Sequence, residues 1–135
     1  LYKGGIIPMK EFAQMKKDRD ILVRIIVKKA PTHTVYLSQR NSATDFPVLT
    51  CAVGLEEKKV RIVIGARPQK AMLIEKELES SFKFKVEEVE ALAEEVQKLV
   101  PTGSNMRASA EYRSHLVKVL TKRALVQVEG DANEN

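Results

Sequence analysis

The chain has 135 residues, an ordinary size for one domain, and its 44% apolar and 30% charged residues are typical of a globular protein. No apolar run approaches the roughly 20 residues of a membrane-spanning helix, so we expect neither a membrane span nor a signal peptide. The net charge of +5 comes from basic residues scattered among acids, without the aromatic–basic alternation of a nucleic-acid surface. Nucleic acid is therefore not an expected partner.

The first half of the chain has the composition of β-strands. Four runs rich in apolar and β-branched residues have strand length: residues 20–28, 32–40, 47–55 and 59–66. The short connection from Glu56 to Lys59 predicts that the last two strands form an antiparallel hairpin. Residues 1–19 contain Gly4, Gly5 and Pro8 and predict a connector from a preceding domain. The start at Leu1, not Met, is expected either for the interior of a longer chain or for a chain that lost its start in processing.

The second half of the chain has helical periodicity. Pro68 suits the first position of a helix, and Ala71, Ile74 and Leu78 then share one face, which predicts a helix over residues 68–78. Two further helices are predicted over residues 86–100 and 105–128. The apolar stripes that should face the core are Val86, Val89, Ala93, Val96 and Val100 in the first of these, and Tyr112, Leu116, Val119, Leu120 and Ala124 in the second.

Strands followed by helices predict an α+β fold in two layers. We expect an antiparallel sheet of three to four strands, followed by three helices packed on one face. This domain is predicted to span residues 20–129, between the connector over residues 1–19 and a flexible acidic tail over residues 130–135.

Candidate chemistry is sparse in the sequence. The single cysteine, Cys51, lies in an apolar run and is predicted to be a buried small hydrophobe, a usage that suits a reducing cytoplasm. His33 and His115 lack acidic or cysteine neighbours at ligand spacing, so neither a metal site nor a catalytic residue is expected. None of the six glycines forms a Gly-rich loop between a strand and a helix. The chain alone is therefore not expected to cradle a nucleotide cofactor.

Several segments resemble one family when taken in order. They are Asp20-Ile21-Leu22-Val23-Arg24-Ile25, Asp45-Phe46-Pro47 with Cys51-Ala52-Val53, the strand-to-helix junction over residues 61–68, and Ser109-Ala110-Glu111-Tyr112-Arg113 followed by Lys122-Arg123-Ala124-Leu125. Together, over roughly residues 7–128, the chain resembles the C-terminal domain of the FAD-binding (flavoprotein, medium) subunit of molybdenum hydroxylases, as in xanthine dehydrogenase and CO dehydrogenase. The Ser-Ala-Glu-Tyr-Arg motif is the most specific of these matches.

The resemblance implies a role within a larger cytoplasmic oxidoreductase. In this family, electrons pass from a molybdopterin site through 2Fe–2S clusters to FAD. The FAD is held mostly by domains that this chain does not contain, and the other cofactors belong to partner subunits. The implied partners are the chain's own N-terminal FAD-binding domain and the iron–sulfur and molybdopterin subunits. The domain would help to close the flavin site and to dock these partners, without catalysis of its own.

Few of the family's functional residues carry over by position. Leu22 matches a family leucine that packs on the flavin, although core packing explains an apolar residue there equally well. A family lysine that contacts FAD falls at Leu37, and Arg40 in the following turn is a cation that could take its place. Tyr112 and Arg113 are expected to anchor the third helix to the sheet or to an adjoining subunit. The alternative function is a free-standing basic α+β module that binds an anionic ligand, which the charge of +5 favours.

Overall fold

The computed structural model describes residues 1–16, 19–29, 33–56, 58–78 and 84–133. The chain divides into two compact units, Leu1–Pro31 and Thr32–Asn135. In the described part of the first unit a short helix, α1, spans Met9–Phe12. The carboxylate of Asp20 accepts hydrogen bonds from the amides of Lys3 at 2.9 Å and Gly4 at 2.7 Å. These backbone hydrogen bonds lower the pKa of Asp20 and join its segment to the start of the unit.

The strand predicted over residues 20–28 is wrong for this structure. These residues have no regular secondary structure, and their apolar side chains, including Ile21, Leu22 and Val23, are exposed. β-branched residues favour an extended backbone, but a strand also needs a hydrogen-bonded neighbour, which the described residues do not supply here. The β-branched residues of this segment therefore suggested a strand, but among the described residues no neighbouring strand pairs with it.

The second unit begins with a four-stranded antiparallel sheet whose strands follow one another in chain order. The strands are β1 (His33–Gln39), β2 (Leu49–Glu56), β3 (Lys59–Gly65) and β4 (Met72–Glu77). The predicted β2–β3 hairpin is confirmed, with Cys51 opposite Ile64. Thr32, the predicted start of the strand that forms β1, and Glu57, in the hairpin connection, lie outside the described residues. The predicted α+β fold, with an antiparallel sheet followed by helices, is confirmed.

The helix predicted over residues 68–78 is wrong, because this segment supplies strand β4. Ile74 lies opposite Ile62 of β3, and Ile74 and Met72 pack partly against the core. Residues 72 and 74 share a face at the period of a strand, whereas Ala71, Ile74 and Leu78 share one at the period of a helix. A short segment satisfies both patterns, and pairing with β3 decides between them.

Two long helices complete the second unit: α2 (Val86–Leu99) and α3 (Ala110–Asn133). Both have hydrogen-bonded N-termini. The carboxylate of Glu88 accepts a hydrogen bond from the Lys85 amide at 2.9 Å, and the hydroxyl of Ser109 accepts one from the Tyr112 amide at 3.1 Å. Helix α3 begins later and ends later than predicted, and Glu134 and Asn135 lie outside the described residues.

The helices cover one face of the sheet. Strand β2 alternates buried and half-buried residues, and the sulfur of its Cys51 lies 3.8 Å from the hydroxyl of Thr121 on α3. The predicted inward residues that are buried are Val89, Ala93, Val96, Val100, Leu116, Leu120 and Ala124. Val86 and Tyr112, also predicted to face the core, are instead exposed.

Candidate functional site

Arg113 is the largest fully buried side chain of the chain, with 1% of its surface exposed. Its Nε donates to the carbonyl oxygen of Val48 at 2.9 Å, and its Nη1 donates to the carbonyls of Gly103 at 2.6 Å and Ala108 at 2.7 Å. Its Nη2 donates to the side-chain oxygen of Asn105 at 2.6 Å. One guanidinium therefore fixes the α2–α3 loop and the start of β2 to the first turn of α3. The predicted anchoring role of Arg113 is confirmed.

The acceptors of Arg113 named above are all neutral. Burial of the guanidinium, and then the charge of Arg107, lower the pKa of Arg113 from its ordinary value. An arginine remains protonated under such conditions. The dipoles of the carbonyl and amide groups around Arg113, and not a carboxylate, therefore stabilise its buried positive charge.

Arg107 lies in the same loop and contacts the segment before β2. Its guanidinium carbon is 5.2 Å from the ring centre of Phe46, and its Nε lies 3.5 Å from the carboxylate of Asp45. The Arg107 carbonyl also accepts a hydrogen bond from the side chain of Asn41 at 3.4 Å. The loop between β1 and β2 is thus tied to the loop between α2 and α3, and the Phe46 ring remains 72% exposed.

A third arginine, Arg67, supports the adjacent β3–β4 connection. It is buried, and it donates to the carbonyls of Lys70 at 2.9 Å and Pro101 at 2.7 Å. Its Nη1 also donates to the side-chain oxygen of Gln69 at 2.5 Å. In return, the Arg67 carbonyl accepts a hydrogen bond from the Gly103 amide at 3.2 Å. Arg67 and Arg113 therefore hold the α2–α3 loop from two sides.

A shallow pocket of about 380 Å³ lies where these three loops meet. Its wall is apolar on the side of Phe46, Pro47, Ala66 and Pro68, and polar where Gln69, Asn105 and Arg107 contribute. Ala66 has a φ of 56°, in the left-handed region that residues with a Cβ avoid. The pocket thus combines an exposed aromatic ring, a guanidinium and two amide side chains.

A second feature is the sheet face opposite the buried β2 residues. Strand register aligns Tyr36, Ala52, Val63 and Leu73 in one row across all four strands. Tyr36 is 58% exposed, and the other three residues are half-buried. An apolar row that crosses a sheet and retains solvent exposure is a candidate surface for a partner.

The residues singled out by family resemblance lie in both units. Leu22 belongs to the first unit, in a segment without regular secondary structure, and is 51% exposed. Leu37 is in β1 and packs partly against the core. Arg40 donates to the Asp45 carbonyl at 2.7 Å and to the Ser38 hydroxyl at 3.4 Å, so its guanidinium closes the β1–β2 loop.

Cys51 is buried, as predicted from its apolar surroundings. Burial raises the pKa of its thiol to about 11, so the protein holds it as an unreactive thiol. Within the described part of the chain, no group of three or more His, Cys, Asp or Glu side chains could hold a metal ion. No helix in that part is long and apolar enough to cross a membrane.

Sequence reasoning missed Arg67, Arg107 and Asn105 as members of one cluster. Arginines are usually at the surface, and nothing in their spacing shows that separate loops converge on one place. The available signal was the set of short polar residues between the two long helices, Thr102, Ser104 and Asn105, followed by Arg107. Such residues mark a loop held by side-chain hydrogen bonds.

Solved structures show the same fold. Quinoline 2-oxidoreductase from Pseudomonas putida 86 matches with a TM-score of 0.63 and 18% identity, over 76% of this chain and 39% of its own. A carbon monoxide dehydrogenase from Hydrogenophaga pseudoflava, which lacks the Mo-pyranopterin moiety of its molybdenum cofactor, matches with a TM-score of 0.62 and 21% identity. That match covers 73% of this chain and 37% of the dehydrogenase chain, so this chain spans well under half of either structure. No curated protein sequence matches.

The model of the CO dehydrogenase flavoprotein C-terminal domain matches residues 34–128, and the chain belongs to that family. The family assignment made from the sequence motifs is therefore confirmed.

Proposed function

We propose that this domain closes the flavin site of a molybdenum hydroxylase and docks the partner subunits that deliver electrons to FAD. Family membership over residues 34–128 is the observation that carries this proposal. The electrons would come from molybdenum through 2Fe–2S clusters in partner subunits. The parent protein would be an oxidoreductase, and this domain would contribute contacts to it and no reacting group of its own.

The residues of the chain fit part of the surroundings of FAD. Leu22, in the first unit, offers exposed apolar surface suited to a flavin ring. The six glycines lie near the N-terminus, in strands β2 and β3, in the α2–α3 loop and in α3, and none begins a helix as a phosphate-binding loop requires. The chain would therefore contact bound flavin while the preceding domain holds the dinucleotide. FAD itself would supply the electron-accepting chemistry.

Docking is the second part of the proposal. The row of Tyr36, Ala52, Val63 and Leu73 supports it, because a half-buried apolar row across a sheet resembles the core of an interface. The other candidate function, a free-standing basic binding module, has the charge of +5 in its favour. The family match favours the flavoprotein role.

The flavin contact is tested by replacing Leu22 with Asp in the intact parent protein and measuring FAD retained after dialysis. A carboxylate against the flavin ring should lower retention, because burying an unpaired charge is costly. The matched control is Val23→Asp at the adjacent position, since Val23 is similarly exposed, at 58% against 51% for Leu22. Equal FAD loss in both variants would remove Leu22 from the flavin site.

A further inference from the structure

The pocket between Phe46 and Pro68 is surrounded by more positive than negative charge. Its lining residue Arg107 has one carboxylate neighbour, Asp45, at 3.5 Å. Behind the pocket wall, Arg67 and Arg113 are buried and donate to neutral oxygens. The described contacts therefore place three guanidinium groups and one carboxylate in or behind the pocket wall. This excess of positive charge favours an anion.

The polar groups of the pocket are hydrogen-bond donors. The side-chain oxygen of Asn105 accepts from Arg113 and from the Arg107 amide, and the side-chain oxygen of Gln69 accepts from Arg67. Each amide therefore has its oxygen occupied and retains its NH₂ group. The contact of Arg107 with Asp45 uses Nε. The two Nη atoms of Arg107 form no hydrogen bond with any of the described residues.

The remaining wall is apolar and aromatic. The Phe46 ring is 72% exposed, and Pro47 and Pro68 lie on the same pocket. The ring is near the Arg107 guanidinium on one side, at 5.2 Å, so a planar group could stack beside it while an attached anion reaches Arg107.

We propose that this pocket binds a small molecule that carries a phosphate or carboxylate beside an aromatic ring. The anionic group lies on Arg107 and the amides of Asn105 and Gln69, and the ring lies against Phe46. The site depends on the loop geometry of the second unit and is independent of the proposed flavin contact at Leu22.

The test is titration of the whole chain by NMR or calorimetry at low salt, with four probes. Phenyl phosphate and benzoate carry a ring and an anion, inorganic phosphate lacks the ring, and benzyl alcohol lacks the charge. At least one of the first two should bind with a dissociation constant of about 1 mM or lower, more tightly than the last two. Whichever of phenyl phosphate and benzoate binds tighter identifies the preferred oxyanion.

Two variants locate the site. Arg107→Gln should weaken the tighter probe about tenfold, whereas Arg123→Gln, an equal loss of charge at an exposed position of α3, should leave its affinity unchanged. Asn105→Asp introduces a carboxylate beside the pocket and should also weaken binding about tenfold. The aspartate still accepts a hydrogen bond from Arg113, so this variant should keep its fold. Weaker binding by Asn105→Asp would therefore report a change in the pocket and not unfolding of the chain. Equal affinity of wild type and Arg107→Gln, or equal binding of benzyl alcohol and phenyl phosphate, would overturn the proposal.

Discussion

The Nε atom of Arg113 donates a hydrogen bond to the carbonyl oxygen of Val48 at 2.9 Å, which joins the first turn of α3 to the residue before β2. The same side chain also binds the carbonyls of Gly103 and Ala108. A single arginine therefore holds the junction between the sheet layer and the helix layer, and it is the last residue of the Ser-Ala-Glu-Tyr-Arg motif that indicated the family.

Replacing Arg113 with Met should lower the free energy of unfolding by about 3 kcal/mol or more, because buried carbonyl oxygens lose charged donors without gaining new ones. The measurement is urea unfolding of the chain at pH 7. Arg123→Met, at an exposed position of the same helix, should change stability by less than about 0.5 kcal/mol. Similar stability of both variants would show that the Arg113 hydrogen bonds contribute little.

Replacing Asn105 with Asp should stabilise the chain at pH 7 by about 0.5–1 kcal/mol, because the Arg113 guanidinium then donates to a carboxylate. Such a pairing lowers the carboxyl pKa in the folded state. The gain should therefore be present above a pH of about 4, the usual pKa of aspartate, and disappear at lower pH. Unfolding curves at pH 7 and pH 3 check this, and a loss of stability at pH 7 would contradict it.

Lys118 on α3 forms ion pairs with Glu90 at 3.0 Å and Glu94 at 2.8 Å on α2. Hydrogen bonds from Lys122 and then Lys118 lower the pKa of Glu90, and the hydrogen bond from Lys118 lowers the pKa of Glu94. The contacts with Glu94 and Glu90 in turn raise the pKa of Lys118. The stabilisation should be present between the ordinary carboxyl pKa of 4.5 and the ordinary lysine pKa of 10.5. It should be lost as the pH falls through the lowered carboxyl values or rises through the raised lysine value.

Lys118→Met tests this ion pair. Its melting temperature should lie slightly below that of the wild type at pH 7, and the difference should shrink at pH 3 and in high salt, because these pairs are exposed and screened. A difference that is independent of both pH and salt would assign the effect to packing of the lysine stem.

The thiol of Cys51 should not react with a disulfide reagent in the folded chain at pH 8, because it is buried and its pKa is raised to about 11. The same reagent should label it fully in denaturant. Rapid labelling of the folded chain, measured by thiol release, would show that the strand β2 and helix α3 layers separate readily.

Much of the second unit could be predicted from its sequence. The alternating apolar residues of β2 and β3, such as Cys51 and Ile64, indicate strands with one buried face, and Val89 and Val96 repeat at helical spacing. Strand β4 was missed because six residues are too few to separate the two periods. Its identity depends on pairing with β3, which is a non-local contact.

The candidate site was less predictable. Arg113 was identified through the motif that contains it, but its neutral acceptors come from loops distant in sequence, such as Val48 and Gly103. Tyr112, the expected core residue, is 45% exposed, whereas the next residue, Arg113, is 1% exposed. The burial of Arg113 depends on hydrogen bonds of a charged group, and hydrophobic periodicity does not report that kind of contact.

The FAD content of the full-length protein that contains this domain, purified with its partner subunits, tests the central claim most directly. The account predicts about one FAD per copy of this domain, reduced when the substrate of the molybdenum subunit is added, with lower retention in Leu22→Asp than in Val23→Asp. A full-length protein that purifies in folded form without flavin, and does not take up added FAD, would contradict the proposed role.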